Sequence, residues 1–98
     1  MGNYVAARQA LERALPILEK GQGLSNPDIG QTLSALALVV EALGDPGLAE
    51  TYFKRALAIQ EKALEPADPT LAETRKGYVA LLRQQHRDAE AAAVEARP

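Results

Sequence analysis

The sequence contains no cysteine and no tryptophan, and only one histidine and one phenylalanine. Without cysteine there is no disulfide framework, no thiolate nucleophile and no thiolate metal site. A lone His86 has no second His or Cys to complete a transition-metal site, and Asp and Glu alone would give only a weak cation site. No cofactor and no metal are expected. Basic residues are not in excess: the net charge is −2, and no Lys/Arg run exceeds the pairs Lys54-Arg55 and Arg75-Lys76. A nucleic-acid partner would require a clustered basic face, so none is expected. Long apolar runs are missing too. The longest, Ala35 to Val40, falls far short of the roughly 20 residues that span a bilayer. The start, Met1-Gly2-Asn3-Tyr4, lacks a basic segment followed by an apolar one and does not read as a signal peptide. The expectation is a cytoplasmic protein with no membrane partner.

Aromatics are sparse, at three Tyr and one Phe, and Val and Thr are too thinly spread to suggest a sheet. What is abundant is Ala and Leu, within a hydrophobic fraction of 47%. Both lose little side-chain freedom in a helix.

The chain also repeats itself. Arg13-Ala14-Leu15-Pro16-Ile17-Leu18-Glu19-Lys20 returns 42 residues later as Arg55-Ala56-Leu57-Ala58-Ile59-Gln60-Glu61-Lys62. The same shift carries Gly2 onto Gly44, Ala7 onto Ala49, Pro27 onto Pro69 and Thr32 onto Thr74. Such a period marks stacked supersecondary units that cannot each bury an apolar face alone. Stacks of this kind mostly offer surfaces for binding.

Five helices are predicted: Asn3 to Lys20, Pro27 to Leu43, Pro46 to Leu64, Pro69 to Gln85, and a short one from Arg87 to Ala96. Val5, Leu11, Leu15 and Leu18 form a stripe on the first. Ala49, Tyr52, Ala56, Ile59 and Ala63 share a face of the third. Asn26-Pro27, Asp45-Pro46 and Asp68-Pro69 each place a capping side chain before a Pro at the first helical position. Gly44 and Gly21-Gln22-Gly23 are expected to end helices in left-handed geometry. Pro16 lies inside the first helix and is expected to bend it rather than break it. The short connections between helices imply antiparallel hairpins.

No assembled catalytic set is visible. Ser25 and Ser34 lie in no Gly-x-Ser-x-Gly elbow, and Gly21 and Gly23 precede no Lys-Ser/Thr phosphate loop. His86 reads as a surface or helix-end residue. Glu12, Glu19, Glu41, Glu50 and Glu61 read as solvated helix surface. Tyr4, Tyr52, Phe53 and Tyr78 read as packing residues. The protein is therefore expected not to be an enzyme.

Leu33, Leu36, Ala37, Val40, Gly44, Ala49, Phe53 and Ala56 are spaced as in the tetratricopeptide signature, which the chain resembles. The commonest unit of that family is about 34 residues. The longer spacing, with YFKRALAIQEKAL followed by DPTLAET, resembles the kinesin light chain class. Tyr78 to Ala96 is similar to the closing repeat of bacterial arrays of that class. The resemblance implies an all-α, right-handed superhelix of antiparallel helix hairpins in one domain, residues 1–98. In this register residues 3–22 are an orphan second helix of a hairpin (helix B). Residues 27–64 are a full repeat, and 69–96 a shortened closing one at the C-terminal end of an array, where His86 replaces the turn Gly.

The resemblance further implies a protein-interaction module whose first helices line a concave groove. The matching positions are Gln31, Ser34, Leu38 and Glu41, then Glu73, Lys76, Ala80 and Arg83. This surface is expected to hold a peptide or partner protein. Ser34-Ala35 and Lys76-Gly77 stand where the kinesin light chain class usually carries an Asn pair. The alternative is a structural or self-association element: a homodimer formed through the exposed N-terminal helix, with no peptide ligand of its own.

Overall fold

Three Asx-Pro steps start three of the helices. In the computed structural model, which describes residues 3–22 and 26–97, Asn26 Oδ1 accepts from Asp28 N at 2.7 Å, Asp45 Oδ1 from Leu48 N at 3.1 Å, and Asp68 Oδ1 from Thr70 N at 2.8 Å. Each cap satisfies a backbone N–H that the first helical turn leaves without a partner. The helices are α1 (Tyr4–Gln22), α2 (Pro27–Ala42), α3 (Pro46–Ala63), α4 (Pro69–Gln84) and α5 (Asp88–Glu95). Among the described residues all regular structure is helical, and the arrangement is the expected all-α superhelix of hairpins.

Two turns close identically, 42 residues apart. After α2, Gly44 N donates to Glu41 O at 3.0 Å and Asp45 N to Val40 O at 2.9 Å. After α4, His86 N donates to Arg83 O at 3.0 Å and Arg87 N to Leu82 O at 2.9 Å. Both are Schellman closures, which need a left-handed residue just past the helix. Gly44 takes φ 91° and His86 takes φ 60°. The second copy of the turn thus keeps its geometry without its glycine.

α1 continues as one helix through Pro16, so the proline does not break it, as expected. The helix runs through Gly21 to Gln22, inside the segment expected to end it. Gly2, Gly23 and Ser25, assigned above to the repeat, a helix end and a loop, lie outside the described residues.

The core has two parts. Ile29, Leu33 and Ala56 are fully buried between α1, α2 and α3, with Leu15, Leu18, Tyr52 and Ile59 against them. The larger part joins α2 to α5 through Ala37, Val40, Ala49, Phe53, Leu57, Leu81, Leu82, Ala91 and Val94. Phe53 stacks on Tyr78 with ring centroids 5.8 Å apart. Burying side chains of this size stabilises by about 1.5–3 kcal/mol each. The seven apolar signature residues, from Leu33 to Ala56, are all fully buried.

The apolar stripe of α3 is broader than its Ala/Tyr/Ile pattern implied. Its buried residues are Ala49, Phe53, Ala56, Leu57 and Gln60, while Ala63 is exposed. α3 is clasped between α2 and α4, so it must bury two faces. On α1, Leu15 and Leu18 pack inward, but Val5 is 59% exposed and Tyr4, expected to pack, is 48% exposed. α1 packs mainly on α2, with Glu19 reaching Arg55 of α3 at 3.1 Å, and its far side stays open to solvent.

Candidate functional site

The first helices of the two hairpins, α2 and α4, meet along one side of the stack. Gly77, with no side chain, lets α4 settle onto Phe53 of α3 at this seam. A Cβ there would lie 3.0 Å from the Phe53 ring and 3.8 Å from Leu38 Cδ2. Beside this contact the two helices leave a depression of about 210 Å³. Four of the expected groove residues line it: Gln31, Ser34 and Leu38 from α2, and Glu73 from α4. Ala35, Thr70 and Thr74 complete the walls. Leu38 is 54% exposed, an apolar side chain offered to solvent at the rim.

The other four groove positions behave differently. Lys76 and Ala80 are exposed further along α4 and do not line the depression. Glu41, half-buried on α2, has its carboxyl pushed above the usual range by burial. Arg83 is held in ion pairs with Glu95 and, at 3.9 Å, with Asp88. Its guanidinium serves the α4–α5 contact.

The walls are bound together by hydroxyls. Thr74, 2% exposed, donates to Thr70 O at 3.1 Å and lies 3.3 Å from Ser34 Oγ, linking α4 to α2. The floor is Gln60 of α3, which is fully buried. Neither its Nε2 nor its Oε1 has a hydrogen-bond partner. A buried amide without partners costs about 1–3 kcal/mol. Gly30 makes room for it, since a Cβ at that position would lie 2.8 Å from Gln60 Cγ. Sequence reasoning missed Gln60. The signal was present: Gln60 lies one turn beyond Ala56 and two beyond Phe53, on the buried face, and the 42-residue shift aligns it with an apolar Leu18.

A second hollow, of about 390 Å³, lies at the C-terminal end of α3 among Glu61, Leu64, Pro66, Leu71, Arg75 and Arg97. It is larger, but its charges pair with one another. Arg75 and Arg97 each reach Glu61 Oε2 at 3.3 Å. The groove between α2 and α4 is the better candidate because its walls set an exposed apolar side chain, Leu38, among hydroxyl, amide and carboxylate groups.

Glu50 is not the solvated surface residue expected from its sequence setting. Its side chain is 16% exposed and takes a two-pronged contact from Arg87, at 2.7 and 2.8 Å, with Tyr78 Oη at 3.3 Å. The hydrogen bonds and charge of Arg87 hold its carboxyl down to about 2. Arg87 also binds Glu90, so this network fastens the start of α5 to α3 and α4. Burial and the neighbouring Glu50 carboxylate push the Tyr78 hydroxyl up. Among the described residues no cluster of three His, Asp or Glu side chains is placed to hold a metal ion. None of the helices is long and apolar enough to cross a membrane.

Comparison with known proteins agrees with this geometry. No curated protein matched the chain. The family model for the tetratricopeptide repeat matches residues 1–62 and again residues 28–97, so the two matches together take in nearly the whole sequence. With the hairpin stack, the repeated turns and this match in hand, the chain belongs to the tetratricopeptide repeat family.

Proposed function

We propose that the chain is a partner-binding module that holds a peptide segment of another protein in the groove between α2 and α4. Tetratricopeptide repeats generally mediate protein–protein interaction and are generally non-catalytic. The observation that carries the choice of surface is the depression itself. It combines a half-exposed Leu38, hydroxyls from both helices and the Gln31 amide of α2. Apolar surface with a few convergent polar groups is what peptide grooves use. The long spacing between copies favours the kinesin light chain type of repeat.

The test is selection of binders from a random peptide library displayed against the full chain. Competition with the Leu38→Glu and Glu73→Lys variants then maps the site. Binders lost in both variants, with unchanged melting temperature, support the groove. Binders indifferent to both variants would refute it.

Self-association is a second reading, favoured by one observation. Ile17 is 70% exposed, although its counterpart Ile59 packs against the core between α1, α2 and α3. With Tyr4 and Val5 it leaves apolar surface on α1 that a second copy could cover. A mass by light scattering that stays monomeric at every concentration would dismiss this reading.

A further inference from the structure

We infer that the partner segment anchors in the depression between α2 and α4 through a cationic side chain, Lys or Arg, whose aliphatic stem lies on Leu38 and whose head meets Glu73. This rests on the groove reading and deepens it. Three observations support it. First, among the described residues Glu73 is the only charged side chain that lines the depression. Its carboxylate has no ion pair and no hydrogen bond among them. It is exposed, so a ligand can reach it. Lys76, one turn further along α4, does not line the depression and makes no ion pair with it.

Second, neither the helix nor the stack requires a carboxylate there. Negative charge is favoured in the first turn of a helix, and Glu73 lies beyond the first turn of α4. The position 42 residues earlier is Gln31, a neutral amide that lines the same depression from α2. Third, the surroundings suit a long cationic side chain. Leu38 is 54% exposed and Ala35 is half-buried, an apolar track for a methylene stem. The hydroxyls of Ser34 and Thr70 and the side-chain oxygen of Gln31 can accept from an ammonium or guanidinium. The depression, at about 210 Å³, has room for one such side chain.

The chemistry selects the ligand. A carboxylate would meet Glu73 with like charge. An apolar side chain would cover Leu38 but would strip water from the Glu73 carboxylate and return no partner. A carboxamide would donate to that carboxylate and leave its charge uncompensated. A cation on a methylene stem answers both surfaces at once. Glu73 stays open to solvent, so the preference for charge is modest, about two- to fivefold. The contact with Leu38 adds affinity that does not depend on charge.

The experiment is NMR titration of the full chain with blocked alanine-rich pentapeptides carrying Lys, Arg, norleucine or Glu at the centre, at low and at raised salt. Norleucine keeps the stem of Lys without its charge. The backbone signals of Gln31, Ser34, Leu38 and Glu73 are the readout. At low salt the Lys or Arg peptide is expected to shift them saturably and to bind about two- to fivefold tighter than the norleucine peptide. The gap should close as salt rises, and the Glu peptide should bind weakest. In Glu73→Gln, at unchanged melting temperature, the preference should vanish while the binding of the norleucine peptide persists. Groove signals that move with no cation preference, or a preference that survives Glu73→Gln, overturn the inference and leave the groove as a partner surface. Groove signals that no peptide moves overturn it together with the groove reading.

Discussion

Replacing Gly30 by Ala should have opposite effects depending on residue 60. The added Cβ would sit 2.8 Å from Gln60 Cγ and 3.3 Å from Gln60 Nε2. Carbon atoms rest about 3.5–4.0 Å apart, so something must move by close to an ångström. The atom in the way is near the root of the Gln60 side chain. That chain is boxed in on the floor of the groove and cannot swing its tip aside. Overpacking of this kind costs about 1–3 kcal/mol. Against it stands the helix preference of Ala over Gly, about 1 kcal/mol. The net expectation in the wild-type background is a loss of up to about 2 kcal/mol. In a Gln60→Ala background Cγ is gone and only the helix preference remains, so Gly30→Ala should stabilise by about 1 kcal/mol. For a domain of this size 1 kcal/mol moves the melting temperature by about 4–8 °C. The four-protein cycle, followed by thermal unfolding with circular dichroism, isolates the coupling between the two positions. A change of the same sign in both backgrounds would refute the argument that the missing Cβ exists to accommodate Gln60.

Other perturbations follow from the same structure. His86→Gly should raise stability by about 0.5–1 kcal/mol, because His holds a left-handed φ of 60° that Gly adopts freely; an unchanged or lower melting temperature would contradict this. Gly44→Ala, at φ 91°, should lose about 1 kcal/mol or more in the same assay. Ala56→Leu should cost about 1–3 kcal/mol in urea unfolding, since Ala56 is fully buried between α1 and α2 and has no room to grow. Glu50 gives a pH dependence. Its carboxyl is lowered to about 2 in the folded state, against about 4.3 when unfolded. The stabilisation is therefore complete above about pH 4.5 and is lost as pH falls through about 2, a contribution of about 1–2 kcal/mol once solvent screening of Arg87 is allowed for. Arg87→Ala should flatten that acid limb of the stability profile, and an unaltered limb would remove Glu50 as its source.

Much of this architecture was legible because local chemistry and periodicity agreed. Asn26, Asp45 and Asp68 cap because each combines a short acceptor side chain with a following Pro, which is a property of two adjacent residues. The repeat supplied the register, and with it the burial of Leu33, Leu36, Phe53 and Ala56. Of the positions that the resemblance implies, Gln31, Ser34, Leu38 and Glu73 line the depression between α2 and α4. What failed depended on contacts between distant residues. Arg83 lies on the expected face of α4, but Glu95 of α5 takes up its charge. Glu50 looks like helix surface until Arg87, brought over by the Schellman turn at His86, lands on it. Gln60 was not singled out, because a residue type carries no information about which neighbour lacks a Cβ.

The depression belongs to neither hairpin alone. Its walls come from two successive units and its floor from the helix between them, so its width measures how one unit is rotated against the next. A stack of this type bends by small changes at each seam. Any segment that touched both walls would thereby fix the angle between the two units, and a change in that angle would widen or narrow the depression.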